Sequence, residues 1–104
     1  MLKVYAVAIE MIREIAPVIA QIEKRDVDLA RQLRRAASSV VLNLAEGSGS
    51  FGGVRTQRYR TALGSARETR ACLDVAEAFG YCAACERLRG QLSILSTTLW
   101  KLTA

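Results

Sequence analysis

A chain of 104 residues, 51% hydrophobic and carrying a formal charge of +5, is long enough for one domain, residues 1–104, with one core. A single Pro and seven Gly, four of them in one cluster, argue against a β-rich fold. The absence of His removes the imidazole on which most acid–base and Ser/Cys nucleophile arrangements depend, so no enzyme is expected.

The hydrophobic spacing predicts a first helix over residues 2–22. Its polar stripe, Lys3, Glu10, Glu14, Pro17 and Gln21, is narrow, while Leu2, Val4, Tyr5, Ala8, Ile9, Met11, Ile12, Ile15, Val18 and Ile22 cover more than half its circumference. A helix at the edge of a small monomeric bundle needs an apolar stripe of only about 100°. The excess predicts packing on another subunit. Pro17 is expected to kink the helix or to begin a new turn. The apolar run at the N-terminus is short and broken by Glu10, Arg13 and Glu14, unlike a signal peptide, and no stretch approaches the roughly 20 uncharged residues of a membrane span. A cytosolic location, away from membrane, is the expectation.

The charged turn Glu23-Lys24-Arg25-Asp26 leads into the second helix, with Asp26 as its N-cap. Gly47 is expected to end that helix as a C′ residue, which makes GSGSFGG, residues 47–53, the one flexible loop. At about 100° per residue, Leu29, Leu33, Ala36, Ala37, Val40, Val41 and Leu44 share one arc of the second helix. Arg31, Gln32, Arg35, Ser39, Asn43 and Glu46 share the opposite arc, with Leu42 as a lone apolar intruder. A third helix follows over residues 54–79, stopped by Gly80, with Tyr59, Ala62, Leu63, Ala66 and Leu73 on its core face. Arg60, Arg67 and Asp74 repeat at seven-residue spacing on another face, and Ser65 and Glu68 make a compact polar site. The fourth helix, residues 81–102, aligns Leu88, Leu92, Leu95, Leu99 and Leu102 toward the bundle. Trp100 falls off that stripe and is a candidate interface residue.

The charge is unevenly placed. Residues 25–70 contain nine basic side chains, all Arg, and four acidic ones, so the whole net charge sits in the middle of the chain. Arginine forks onto phosphates as well as carboxylates. Two readings follow, intramolecular ion pairs with solubility or a polyanion partner.

Other constellations carry less. Cys72, Cys82 and Cys85 are an odd number, and Cys82 and Cys85 form a C-x-x-C without His, a further ligand set or a neighbouring strand. They read as small core residues rather than a redox dithiol or half a zinc site. Gly47, Gly49 and Gly52 match part of a dinucleotide fingerprint, but they follow a helix where that fingerprint follows a strand. The inward Glu and Glu-x-x-His pairs of diiron bundles are missing. No metal and no cofactor is expected.

The spacing of Arg35, Ser39, Asn43 and Glu46 lays them along one side of the second helix. With Ser65 and Glu68 they could form a structural polar network, for example Arg35 with Glu68 or Glu46. The alternative is that Arg35 and Asn43 bind phosphate or base directly.

Gln32-Leu33-Arg34-Arg35-Ala36-Ala37-Ser38-Ser39 with Asn43-Leu44-Ala45-Glu46-Gly47, then Tyr59 to Glu68, then Leu73 to Tyr81, resemble the paired motifs of the small four-helix-bundle proteins related to the 23S ribosomal RNA intervening-sequence protein. The resemblance covers about half the chain. Accessory proteins of diversity-generating retroelements look like distant members. The resemblance implies an all-α, antiparallel up-down four-helix bundle, assembled as a homo-oligomeric, pentameric ring, without enzymatic activity and, in the retroelement branch, with nucleic-acid binding through a basic surface. Arg31, Arg34, Arg55, Arg58, Arg60, Arg67 and Arg70 are the expected phosphate contacts to RNA or DNA. The other reading is a protein–protein scaffold or accessory factor, in which Trp100, Leu42 and the first helix matter more than the arginines.

Overall fold

A computed structural model describes residues 3–104, so Leu2 lies outside the described residues. Four helices account for nearly all of them: α1 (Lys3–Glu23), α2 (Val27–Ser48), α3 (Gly52–Ala78) and α4 (Glu86–Thr103), with no strand among the described residues. Each helix packs on its neighbours in the chain, and α1 also packs on α4, which closes a bundle-like circle. The body measures 42 × 23 × 19 Å.

The core is the apolar arcs brought face to face. Met11, Ile15 and Ile22 of α1, Leu33, Val40 and Leu44 of α2, Leu73 of α3, and Leu88, Leu92, Leu95 and Leu99 of α4 are all essentially solvent-free. Burying a side chain of this size contributes about 1.5–3 kcal/mol, so these stripes dominate the stability. Leu102, expected in the α4 stripe, is exposed in the last turn of the helix. α1 runs unbroken through Pro17, which sits on its exposed side. The apolar excess of α1 is smaller than its sequence implies, because Tyr5, Val7, Ile9, Ile12 and Val18 are already partly covered by the core.

Helix ends follow local chemistry in two places. The Asp26 carboxylate accepts from the Leu29 amide at 2.9 Å and caps α2. Gly80, at φ +76°, ends α3 with the paired bonds Tyr81 N–H to Ala76 O and Gly80 N–H to Glu77 O that define a Schellman turn.

Two boundaries differ from expectation. Gly47 does not stop α2; the helix continues to Ser48 and Gly49 is the C-cap. A Cβ on Gly47 would lie 2.5 Å from Cε1 of the buried Tyr59, so this glycine exists for the close approach of α3 rather than for a turn. The supposed seven-residue loop therefore shrinks to residues 49–51. α4 starts at Glu86 rather than near Tyr81, and the C-x-x-C lies in the irregular α3–α4 connection with Cys85 at the N-cap.

Candidate functional site

The polar arc of α2 meets α3 along a seam, and the central part of the expected network forms there. The Ser39 and Ser65 hydroxyls share a hydrogen bond of 2.7 Å, and the Asn43 side-chain amide donates to both the Ser39 carbonyl (2.9 Å) and its hydroxyl (3.0 Å). These short groups satisfy one another at a half-buried position and tie α2 to α3 at one register.

The long side chains pair differently from expectation. Glu46 takes the Arg58 guanidinium at 3.0 Å, not Arg35. Arg35 and Glu68 line the same groove, of about 560 Å³, with Asp28, Arg31, Gln32 and Ser65, yet Arg35 makes no ion pair among the described residues. Arg35 also borders a second groove of about 490 Å³ with Arg34, Ser38, Leu42, Asn43 and Arg58, so one furrow runs along the seam. Its charge is mixed, because Asp28, Glu46 and Glu68 stand among the arginines.

All seven arginines expected to contact phosphate are exposed, but they do not form one surface. Arg31 pairs with Asp28 (3.7 Å), Arg34 with Glu23 on α1 (3.5 Å) and Arg58 with Glu46. Arg55 donates from Nε to the Gly47 carbonyl at 3.2 Å and lies over the Phe51 ring, 5.7 Å from its centre. Arg60, Arg67 and Arg70, by contrast, make no ion pair among the described residues.

Arg60, Gly64 and Arg67 recur at i, i+4 and i+7 and so share one face of α3. One further seven-residue step reaches Asp74, whose carboxylate accepts from Arg89 of α4 at 2.8 Å. The arginine line therefore runs on the α4 side of α3, away from the seam with α2. Among the described residues, nothing beyond its own helix backbone and chain neighbours lies within 4 Å of a Cβ placed on Gly64. The fold does not require this glycine, and its absent side chain keeps the surface low between two arginines whose Cα atoms stand about 10 Å apart along the axis. Sequence spacing places Arg60 and Arg67 together, and Gly64 falls between them at the i+4 position.

Arg89 holds both Asp74 and Glu77, at 2.8 and 2.7 Å. The hydrogen bonds to Asp74 and then to Glu77 push its pKa further up and keep it charged. The cysteines are all free. Burial, reinforced by Glu68, raises the Cys72 thiol pKa above its ordinary 9.0. Burial, with Glu77 adding and Arg89 opposing, raises that of Cys82. Neither shift favours a reactive thiolate. The described residues contain no group of three or more Cys, Asp or Glu side chains able to hold a metal ion.

Four helices, a motif-bearing α2–α3 seam and an arginine-rich α3 are now joined by a direct match: the family model for 23S rRNA-intervening sequence proteins aligns with residues 1–101. The chain belongs to that family. The crystal structure of a protein of unknown function from the S23 ribosomal protein family of Bacteroides thetaiotaomicron superposes with a TM-score of 0.87, covering 96% of this chain and 97% of that one at 16% identity. At that identity the likeness establishes the shared fold. No curated protein matches the chain. None of its helices among the described residues is long and apolar enough to cross a membrane.

Proposed function

We propose that this family member is a non-enzymatic, cytoplasmic nucleic-acid-binding protein that contacts phosphate through the α4-side flank of α3. The observation that carries the reading is the line Arg60–Gly64–Arg67, extended one turn by Arg70, in which no arginine has a carboxylate partner among the described residues. An exposed arginine without a partner keeps its full field for an incoming anion, whereas Arg31, Arg34 and Arg58 must first give up an ion pair. The gap over Gly64 gives a sugar–phosphate backbone room to approach. Arg31, Arg34, Arg55 and Arg58 serve as secondary contacts.

The bundle is antiparallel and up-down in this reading, supported by the short connections and by Arg25 of the α1–α2 turn lying 5.5 Å from the ring centre of Tyr81 in the α3–α4 turn. Copies assemble as a homo-oligomeric, pentameric ring through Leu42, 61% exposed beside a shallow apolar dent of Ile9, Ile12 and Val41. A ring repeats the arginine line and multiplies its attraction for a polyanion. Fluorescence anisotropy with structured RNA and duplex DNA at low salt tests the binding; absence of binding to both overturns it. Light scattering tests the ring, which a monomeric mass overturns. The same Leu42 surface and Trp100, 60% exposed, favour the second reading, a protein–protein scaffold. That reading predicts that Trp100→Ala releases a bound protein while arginine variants do not.

A further inference from the structure

The α2–α3 turn carries an aromatic side chain that the fold leaves uncovered. Phe51 is 83% exposed, more than any other large hydrophobic side chain among the described residues. It stands between Ser50 and two glycines, and a Cβ on Gly52 or Gly53 would meet nothing within 4 Å. Gly52 has a backbone reason for being glycine, φ +55°, but Gly53 has neither a positive φ nor a close neighbour. The chain thus holds a phenyl ring in the open beside bare backbone. Arg55 lies over the ring, 5.7 Å from its centre, while its Nε donates to the Gly47 carbonyl at 3.2 Å. Glu46, on the last turn of α2, is held by Arg58, which leaves the group of Glu46, Arg55 and Arg58 net positive.

We infer that Phe51 is a stacking platform for an unpaired nucleobase, and hence that the nucleic acid bound is single-stranded or looped at this point rather than a continuous duplex. The inference rests on the nucleic-acid reading above and adds the class of target. An aromatic face with an arginine above it offers a base two of its preferred neighbours, a π-surface and a cation that tolerates phosphate nearby. Every base presents a π-face once it leaves the stack, while a base inside a duplex has both faces covered. Arg55 takes one face of the ring, and the exposure leaves the other available. Val54, 59% exposed three residues on, is the other exposed large hydrophobic side chain of this turn, and the two are set among Ser50, glycines and arginines, which disfavours a purely hydrophobic protein partner.

The test uses the intact chain and two probes, a single-stranded RNA of about twelve nucleotides with 2-aminopurine at its centre and a duplex of the same length. Phe51→Ala is expected to weaken single-strand binding about tenfold or more and to abolish the 2-aminopurine quench, with duplex binding and melting temperature unchanged. Phe51→Tyr is expected to restore both binding and quench. Unchanged single-strand affinity in Phe51→Ala overturns the stacking role while leaving the nucleic-acid reading intact. Equal losses on both probes, or a changed oligomeric mass, also overturn it, the latter assigning Phe51 to a contact between copies. If the unaltered protein binds neither probe, the underlying reading fails first and the inference falls with it.

Discussion

Arg58 and Arg60 stand two residues apart on α3, about 200° around the helix, and the contrast between them is the contrast between its two flanks. On the α2 side, Arg58 meets Glu46 at 3.0 Å, Ser65 meets Ser39 at 2.7 Å, and Tyr59 rests against the bare Cα of Gly47. At these positions that flank is packed and paired. On the α4 side, Arg60 and Arg67 have no ion pair among the described residues and Gly64 has no neighbour, until Asp74 and Glu77 close the row on Arg89. One helix thus spends the same residue types in two ways: glycine and arginine serve packing and pairing on one flank, and remain free on the other.

The largest expected effect breaks the packed flank. Gly47→Val places a branched side chain where even a Cβ would lie 2.5 Å from the Tyr59 ring, itself buried and unable to swing aside. Overpacking of this kind costs about 3 kcal/mol, read as a lower midpoint in urea denaturation. Next is the open flank, where Arg60→Ala, Arg67→Ala and Arg70→Ala together weaken RNA binding by about tenfold or more without altering the melting temperature. Gly64→Ala joins the two readouts with opposite signs. It stabilises the fold by about 0.5–1 kcal/mol through helix propensity, yet weakens binding a few-fold by filling the gap between the arginines.

Arg58→Ala is expected to do little. Its pair with Glu46 is about half exposed on both sides, which screens it to under about 1 kcal/mol, and the arginine is already engaged. A large loss of RNA affinity in this variant, with the triple variant unaffected, would reverse the assignment of the two flanks. The smallest effect is alkaline. Burial raises the Cys72 and Cys82 thiols above 9.0, so the unfolded chain releases these protons first as pH climbs. Their contribution to stability is full below pH 9 and declines above it. Thermal melts at pH 7 and pH 10 should differ less once both thiols are replaced by Ala, and an identical difference would contradict the shifts.

Much of this was legible in the sequence because it is local. Asp26 caps α2 and Gly80 stops α3 through geometry carried within five residues. The buried leucines follow from period alone. What was illegible depends on a second helix. Gly47 has the sequence signature of a helix stop, and only Tyr59, twelve residues on, turns it into a packing glycine. Ser39, Asn43 and Ser65 hydrogen-bond as a group because short side chains reach only what lies directly opposite. Spacing groups Arg35, Glu46 and Glu68 with them, but their length lets them choose among partners, and Glu46 chose Arg58. The same freedom hid the feature on which the proposed function rests: periodicity places Arg60 and Arg67 on one face, but only the folded chain leaves them without a carboxylate among the described residues.

The most direct measurement is the salt dependence of RNA binding, as the slope of log affinity against log salt concentration, for the unaltered chain and for the triple arginine variant. The account predicts a steep negative slope that flattens by about two when Arg60, Arg67 and Arg70 are removed, since each phosphate contact contributes about 0.7–0.9 to it. The same slope in both proteins would contradict the claim that the open flank of α3 binds the phosphates.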